Sequence, residues 1–128
     1  MLEVRMNKED RIKSFTDLIV WQKAHRLVLL IYQLTKEFPK EELYSLVDQM
    51  RRAVVSITSN IAEGFGRQTY KEKIQFYYLA SASLTELKNQ ILIAKDLGYL
   101  KPTQELYNLC NDVHKLLNGL ISASKRRR

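Results

Sequence analysis

The amino-acid sequence predicts an all-α fold, an antiparallel up-down-up-down four-helix bundle. Three observations predict it. Apolar residues recur at helical spacing along four long segments. The 128 residues include only four Gly and two Pro, whereas all-β folds spend these residues on turns. The links between the segments are short, about 38–40, 64–69 and 98–102, and short links between long helices force antiparallel neighbours. No strand-like alternation competes.

The first helix is expected to start near Asp17, with Thr16 as N-cap, and to stop before Pro39. Its apolar stripe is Val20, Ala24, Leu27, Ile31, Leu34 and Phe38, spaced 4-3-4-3-4, the seam of a bundle helix. The second helix is expected from about Glu41 to Glu63, on the stripe Leu43, Leu46, Met50, Ala53, Ile57 and Ile61, with Gly64-Phe65-Gly66 as its stop. The third is expected after Thr69, where Thr69-x-x-Glu72 matches a capping box, and runs to about Leu97 with Gly98 as the stop. It carries two stripes. One is Tyr77, Ala80, Leu84, Leu87, Ile91 and Ala94; the other is Phe76, Leu79, Ser83, Ile93 and Leu97, interrupted by Glu86 and Gln90. The fourth helix follows Lys101-Pro102-Thr103 along Leu106, Leu109, Cys110, Val113, Leu116, Leu117, Leu120 and Ile121, and is expected to fray at Ser124.

These elements imply one domain, 15–124, between a flexible N-terminal segment, 1–14, and a basic C-terminal tail, 125–128. A single cysteine, Cys110, excludes an internal disulfide scaffold and favours a reducing compartment. Met1–Lys13 lacks the apolar core of a signal peptide, and the longest apolar stretch, Leu27–Tyr32, is too short to span a bilayer. A cytoplasmic protein with no membrane partner is expected.

The net charge of +7 is uneven. Residues 125–128 carry +4, residues 1–13 carry +1, and the long middle only +2. Lys125, Arg126, Arg127 and Arg128 could contact phosphates, or could be a solvated terminus. Neither catalysis nor a metal or cofactor is expected. His25 and His114 are the only histidines, no ligand spacing accompanies them, and Cys110 lies among core positions. Glu63 reads as a structural carboxylate, pairing with Arg67 four residues on, rather than half of a catalytic pair. Leu18, Trp21, Leu29, Tyr32, Phe76 and Tyr78 exceed what one small core can bury, which points to self-association.

The most unusual segment is Ser56-Ile57-Thr58-Ser59-Asn60-Ile61-Ala62-Glu63-Gly64, where weak helix formers fill half of a good helix. Ala80-Ser81-Ala82-Ser83 mirrors it in the third helix. Small residues on facing helices let backbones approach and hydroxyls bond across the gap. The alternative is a polar recognition surface built from Ser59, Asn60 and Glu63.

These residues also carry a resemblance. Phe15-x-Asp17-Leu18-x-Val20-Trp21-Gln22-Lys23-Ala24, Phe38-Pro39, Leu46-x-x-Gln49-x-Arg51-Arg52-Ala53 and Ser56-Ile57-x-Ser59-Asn60-Ile61-Ala62-Glu63-Gly64-x-Gly66-Arg67 resemble the 23S rRNA intervening-sequence proteins. Tyr77-x-Leu79-Ala80-x-Ala82-Ser83-Leu84-x-Glu86-Leu87 and Leu97-Gly98-Tyr99-Leu100 continue the pattern, which covers roughly residues 14–122. The resemblance implies a four-helix bundle assembled as a ring-shaped homopentamer. It also implies similarity in fold to the accessory variability proteins of diversity-generating retroelements, basic pentamers that bind nucleic acid and a reverse transcriptase. RNA or DNA binding becomes the leading functional expectation, with Arg51, Arg52, Arg67, Lys71, Lys73 and Lys125–Arg128 as contacts and Trp21, Ser56, Ser59, Asn60, Glu63 and Gly64 as interface or structural positions. No RNA-recognition motif, helix-turn-helix signature or aromatic stacking platform is visible, so binding is expected to be phosphate-directed and salt-sensitive. The alternative is a protein-interaction scaffold, or an accessory subunit of a nucleic-acid enzyme such as a reverse transcriptase.

Overall fold

A computed structural model describes residues 12–128. Among them are four long α-helices and no strand: α1 (Ile19–Thr35), α2 (Asp48–Gly66), α3 (Tyr70–Asp96) and α4 (Gln104–Arg127). Each helix packs on two neighbours, α1 on α2 and α4, α3 on α2 and α4. The core is built from the predicted stripes: Leu27, Ile31, Met50, Ile57, Ile61, Leu84, Leu87, Leu106, Val113 and Leu117 are fully buried. The expected N-terminal segment lies mostly outside the described residues.

The chain enters α1 differently from the sequence prediction. Ser14, not Thr16, is the cap, and it serves a separate 3-10 turn over Phe15–Asp17. Thr16 N–H donates to Ser14 Oγ at 3.3 Å, while Lys13 and Ser14 N–H donate to Asp17 Oδ2 at 2.9 and 3.0 Å. Those two backbone donors hold the Asp17 carboxyl below its ordinary range. The turn frees α1 to begin only at Ile19.

The entry to α2 is also broken. A 3-10 turn, Lys40–Glu42, leads into a π-helical turn, Leu43–Val47, before the α-helix starts. A π turn carries an extra residue, so it rotates the apolar stripe out of register. Leu46 and Val47 therefore stay buried, while Leu43, expected in the stripe, is 45% exposed and Tyr44 is 91% exposed. Tyr99 from the α3–α4 link steadies this end, donating to Glu42 Oε2 at 3.0 Å and packing on Phe38. That hydrogen bond to a carboxylate raises the Tyr99 phenol above its ordinary pKa.

Gly64 does not end α2. The helix continues to Gly66, and Arg67, extended, follows as C-cap. Gly64 is buried because α3 lies against it: a Cβ there would stand 2.6 Å from Tyr77 Cε1. The two ends of α3 match the prediction. Glu72 N–H donates to Thr69 Oγ1 at 3.2 Å, and Gly98, at φ 80°, turns the chain out of the helix. The fourth helix does not fray at Ser124 but runs through Lys125, Arg126 and Arg127. Lys and Arg are good helix formers, and their positive charge is favoured beside the carbonyl end of the helix dipole.

Candidate nucleic-acid interface

The antiparallel order collects the C-termini of α2 and α4 and the N-terminus of α3 at one end of the bundle. Arg67, Lys71, Lys73 and the Lys125–Arg128 run belong to these termini. The structure thus brings together basic residues separated by half the chain. Arg51 and Arg52 stand apart, in the first turn of α2, roughly 24 Å along the helix axis from Arg67 at 1.5 Å rise per residue.

Lys73, Arg127, Lys125 and Arg67 are each held in a particular way. Lys73 Nζ donates to the carbonyls of Phe65 at 2.6 Å and Gly64 at 3.4 Å, closing the C-terminus of α2. Its ammonium also lies 5.4 Å from the Phe65 ring centroid and 6.0 Å from that of Tyr70. Arg127 donates to Tyr70 Oη at 3.2 Å and lies over the same ring at 5.9 Å. Lys125 sits 5.3 Å from the Tyr78 ring centroid. Arg67 pairs with Glu63 Oε2 at 3.2 Å, the pairing the sequence suggested, and lies over Phe76 at 4.5 Å. Lys71, Arg126 and Arg128 are exposed. Such cations over rings are attracted by the ring quadrupole and keep their charge toward solvent.

Arg51 and Arg52 are engaged otherwise. Arg51 Nε donates to Thr35 Oγ1 at 3.0 Å, and its Nη2 donates to the Tyr32 carbonyl at 3.4 Å, with the guanidinium 4.6 Å from the Tyr32 ring centroid. It thus ties the end of α1 to the start of α2. Arg52 is exposed and pairs with Asp48 at 3.0 Å.

The Ser-Asn-Ile-Ala-Glu-Gly segment resolves into two faces. Toward α3, Ser56 Oγ and Ser83 Oγ share a hydrogen bond at 2.8 Å, and Asn60 Nδ2 donates back to the Ser56 carbonyl at 2.8 Å and to Ser56 Oγ at 3.0 Å. The hydroxyls do bond across the gap, with Gly64 providing the close approach farther along. Toward solvent, Ser59, Glu63 and Arg67 line a shallow depression with Ala62 and Gly66. Trp21 is half-buried between Phe15, edge-on at 5.3 Å, and His25, stacked at 4.7 Å.

Among the described residues, no group of three or more His, Cys, Asp or Glu could hold a metal ion. Cys110 is buried, and burial pushes its thiol up to about 11. No described helix is long and apolar enough to cross a membrane.

Sequence reasoning missed the aromatic content of the basic end. Phe65 and Tyr70 face the Lys73 ammonium from different helices. The available signal was the heptad spacing of Tyr70 and Tyr77 beside Gly64-Phe65, which says nothing about cations until the α2–α3 crossing is known.

An all-helical antiparallel bundle with a basic end and a close, small-residue α2–α3 contact defines the class. Residues 16–119 match the family model described as 23S rRNA-intervening sequence protein. The chain belongs to this family. No curated protein matches it.

Proposed function

We propose that this chain is a non-enzymatic, cytoplasmic, self-associating bundle protein that binds RNA or DNA through phosphate contacts at its basic end. The convergence of Arg67, Lys71, Lys73, Lys125, Arg126, Arg127 and Arg128 on one end carries this reading. Phosphate-directed binding needs clustered cations rather than a base-reading motif. One copy offers a modest patch. Several copies in one assembly would raise the effective affinity, and a ring-shaped homopentamer is the assembly proposed here.

Self-association is supported by α3. Leu79, Ile93 and Leu97 are 53%, 41% and 55% exposed. Leu79, Glu86 and Ile93 recur at heptad spacing along an outward seam of α3, which Leu97 extends, an apolar stripe suited to packing a further partner.

A second reading has its own observation. Leu43 and the 91%-exposed Tyr44 stand at the end opposite the cations, a position suited to docking on another protein, such as a nucleic-acid enzyme. Titration by fluorescence anisotropy separates the two. At low salt the full chain should bind labelled structured RNA or duplex DNA, with affinity falling linearly in log–log salt plots. Absence of affinity for both, even at low salt, would overturn nucleic-acid binding and leave the scaffold reading.

A further inference from the structure

Charge alone accounts for Lys71, Arg126 and Arg128, but one part of the basic end offers more. A groove of about 530 Å³ runs between the end of α2, the start of α3 and the last turns of α4, with Ile12 and Leu18 from the segment leading into α1 closing one apolar side. Phe65, Tyr70, Lys73, Tyr77, Ser124 and Arg127 line it. This volume is in the range of small-molecule sites and far too small for a duplex.

Its chemistry combines two kinds of group. Phe65 and Tyr70 are half-buried, so part of each ring remains accessible, and both rings lie within 6.0 Å of the Lys73 ammonium. The ammonium has three N–H donors. Two are directed to the Phe65 and Gly64 carbonyls, which fixes the nitrogen in place and leaves a third for an anionic oxygen. Arg127, bonded to Tyr70 Oη, orients that ring and adds positive charge beside it. Aromatic faces next to fixed cations are the requirement for holding a base and its phosphate together, and the stacking part is indifferent to base identity.

We propose that this groove receives one unpaired nucleotide of a single-stranded nucleic acid, with the base against Tyr70 and Phe65 and the phosphate on Lys73. The proposal rests on the nucleic-acid reading above and deepens it: the protein engages unpaired strand, not only the outside of a duplex. Ring stacking requires an unstacked base, which a blunt duplex does not present except at its ends.

The test compares a labelled single-stranded oligonucleotide with a blunt duplex of the same length, both titrated with the full chain at low salt. Tyr70→Leu keeps an apolar side chain but removes the ring; it should weaken single-strand binding by about tenfold, the scale of removing one stacked ring, and change duplex binding by less than about twofold. Tyr70→Phe should retain single-strand binding, and Phe65→Leu should repeat the Tyr70→Leu result should that variant melt early by circular dichroism. Equal loss on both ligands, or no loss on either, overturns the groove while leaving phosphate-directed binding intact. Failure of the native chain to bind either ligand overturns both readings. A nucleoside monophosphate that displaces the strand at equal nucleotide concentration overturns the strand assignment in favour of a free nucleotide.

Discussion

Gly64 shows how one residue controls the contact between two helices. Its missing side chain lets the Tyr77 ring lie where a Cβ would be 2.6 Å from Cε1 and 2.9 Å from Cδ1, with Phe76 Cβ at 3.1 Å. Tyr77 is itself buried, and burial lifts its phenol to about 12. The ring has little room to retreat, so Gly64→Ala should destabilise the bundle by about 1–3 kcal/mol, the usual cost of overpacking. Gly66, two residues on, has nothing within 4 Å of a built Cβ. Gly66→Ala should therefore be neutral or stabilise by up to about 1 kcal/mol through helix propensity. Urea unfolding of the two variants checks both; equal effects would contradict the packing account. Ser56 and Ser83 act in the same interface, where their shared hydrogen bond satisfies two hydroxyls that a tight helix pair would otherwise strand.

Among the elements, the C-terminal helix decides what the basic run is. The segment Lys125–Arg128 is not a loose extension, because α4 persists through Arg127. Helical spacing then separates its charges: Lys125 lies over Tyr78 on one side, while Arg127 reaches Tyr70 on another. Deleting Lys125–Arg128 should lower affinity for nucleic acid and make the log–log salt slope shallower, by about 0.7–0.9 for each phosphate that is no longer neutralised. An unchanged slope would remove these residues from the interface. The π-helical turn before α2 has the opposite character. It moves Leu43 out of the core and sets Tyr44 in solvent, creating apolar surface at the far end of the bundle.

For the whole molecule, the distribution of surface chemistry matters more than its total. Arg67, Lys71, Lys73 and Lys125–Arg128 gather at one end, the exposed Leu43 and Tyr44 stand at the other, the end that also carries Arg51 and Arg52, and the outward seam of α3 runs between them. Purified protein should show a light-scattering mass near five chains. Ile93→Asp places a charge on that seam where the native side chain is already 41% exposed, so it should lower the mass while leaving the circular dichroism spectrum helical. A native monomer in solution would contradict the assembly proposed above.

The four helices, most of their inward stripes and the α2–α3 and α3–α4 links were legible in the order of amino acids alone, whereas the broken entry to α2 was not. A 3.6-residue period and terminal signals such as Thr69-x-x-Glu72 and Gly98 are local properties. The i,i+4 pairing of Arg67 with Glu63 was legible for the same reason, since neighbours on one helix are set by spacing. The role of Gly64 was not, because it depends on a tyrosine from another helix. Neither was that of Arg51, expected as a nucleic-acid contact but bonded to the end of α1. The groove formed by Phe65, Tyr70, Lys73 and Arg127 likewise exists only because antiparallel packing brings three helix ends together. Contacts between residues far apart in the chain are fixed by the crossing of helices, and no local pattern encodes that crossing.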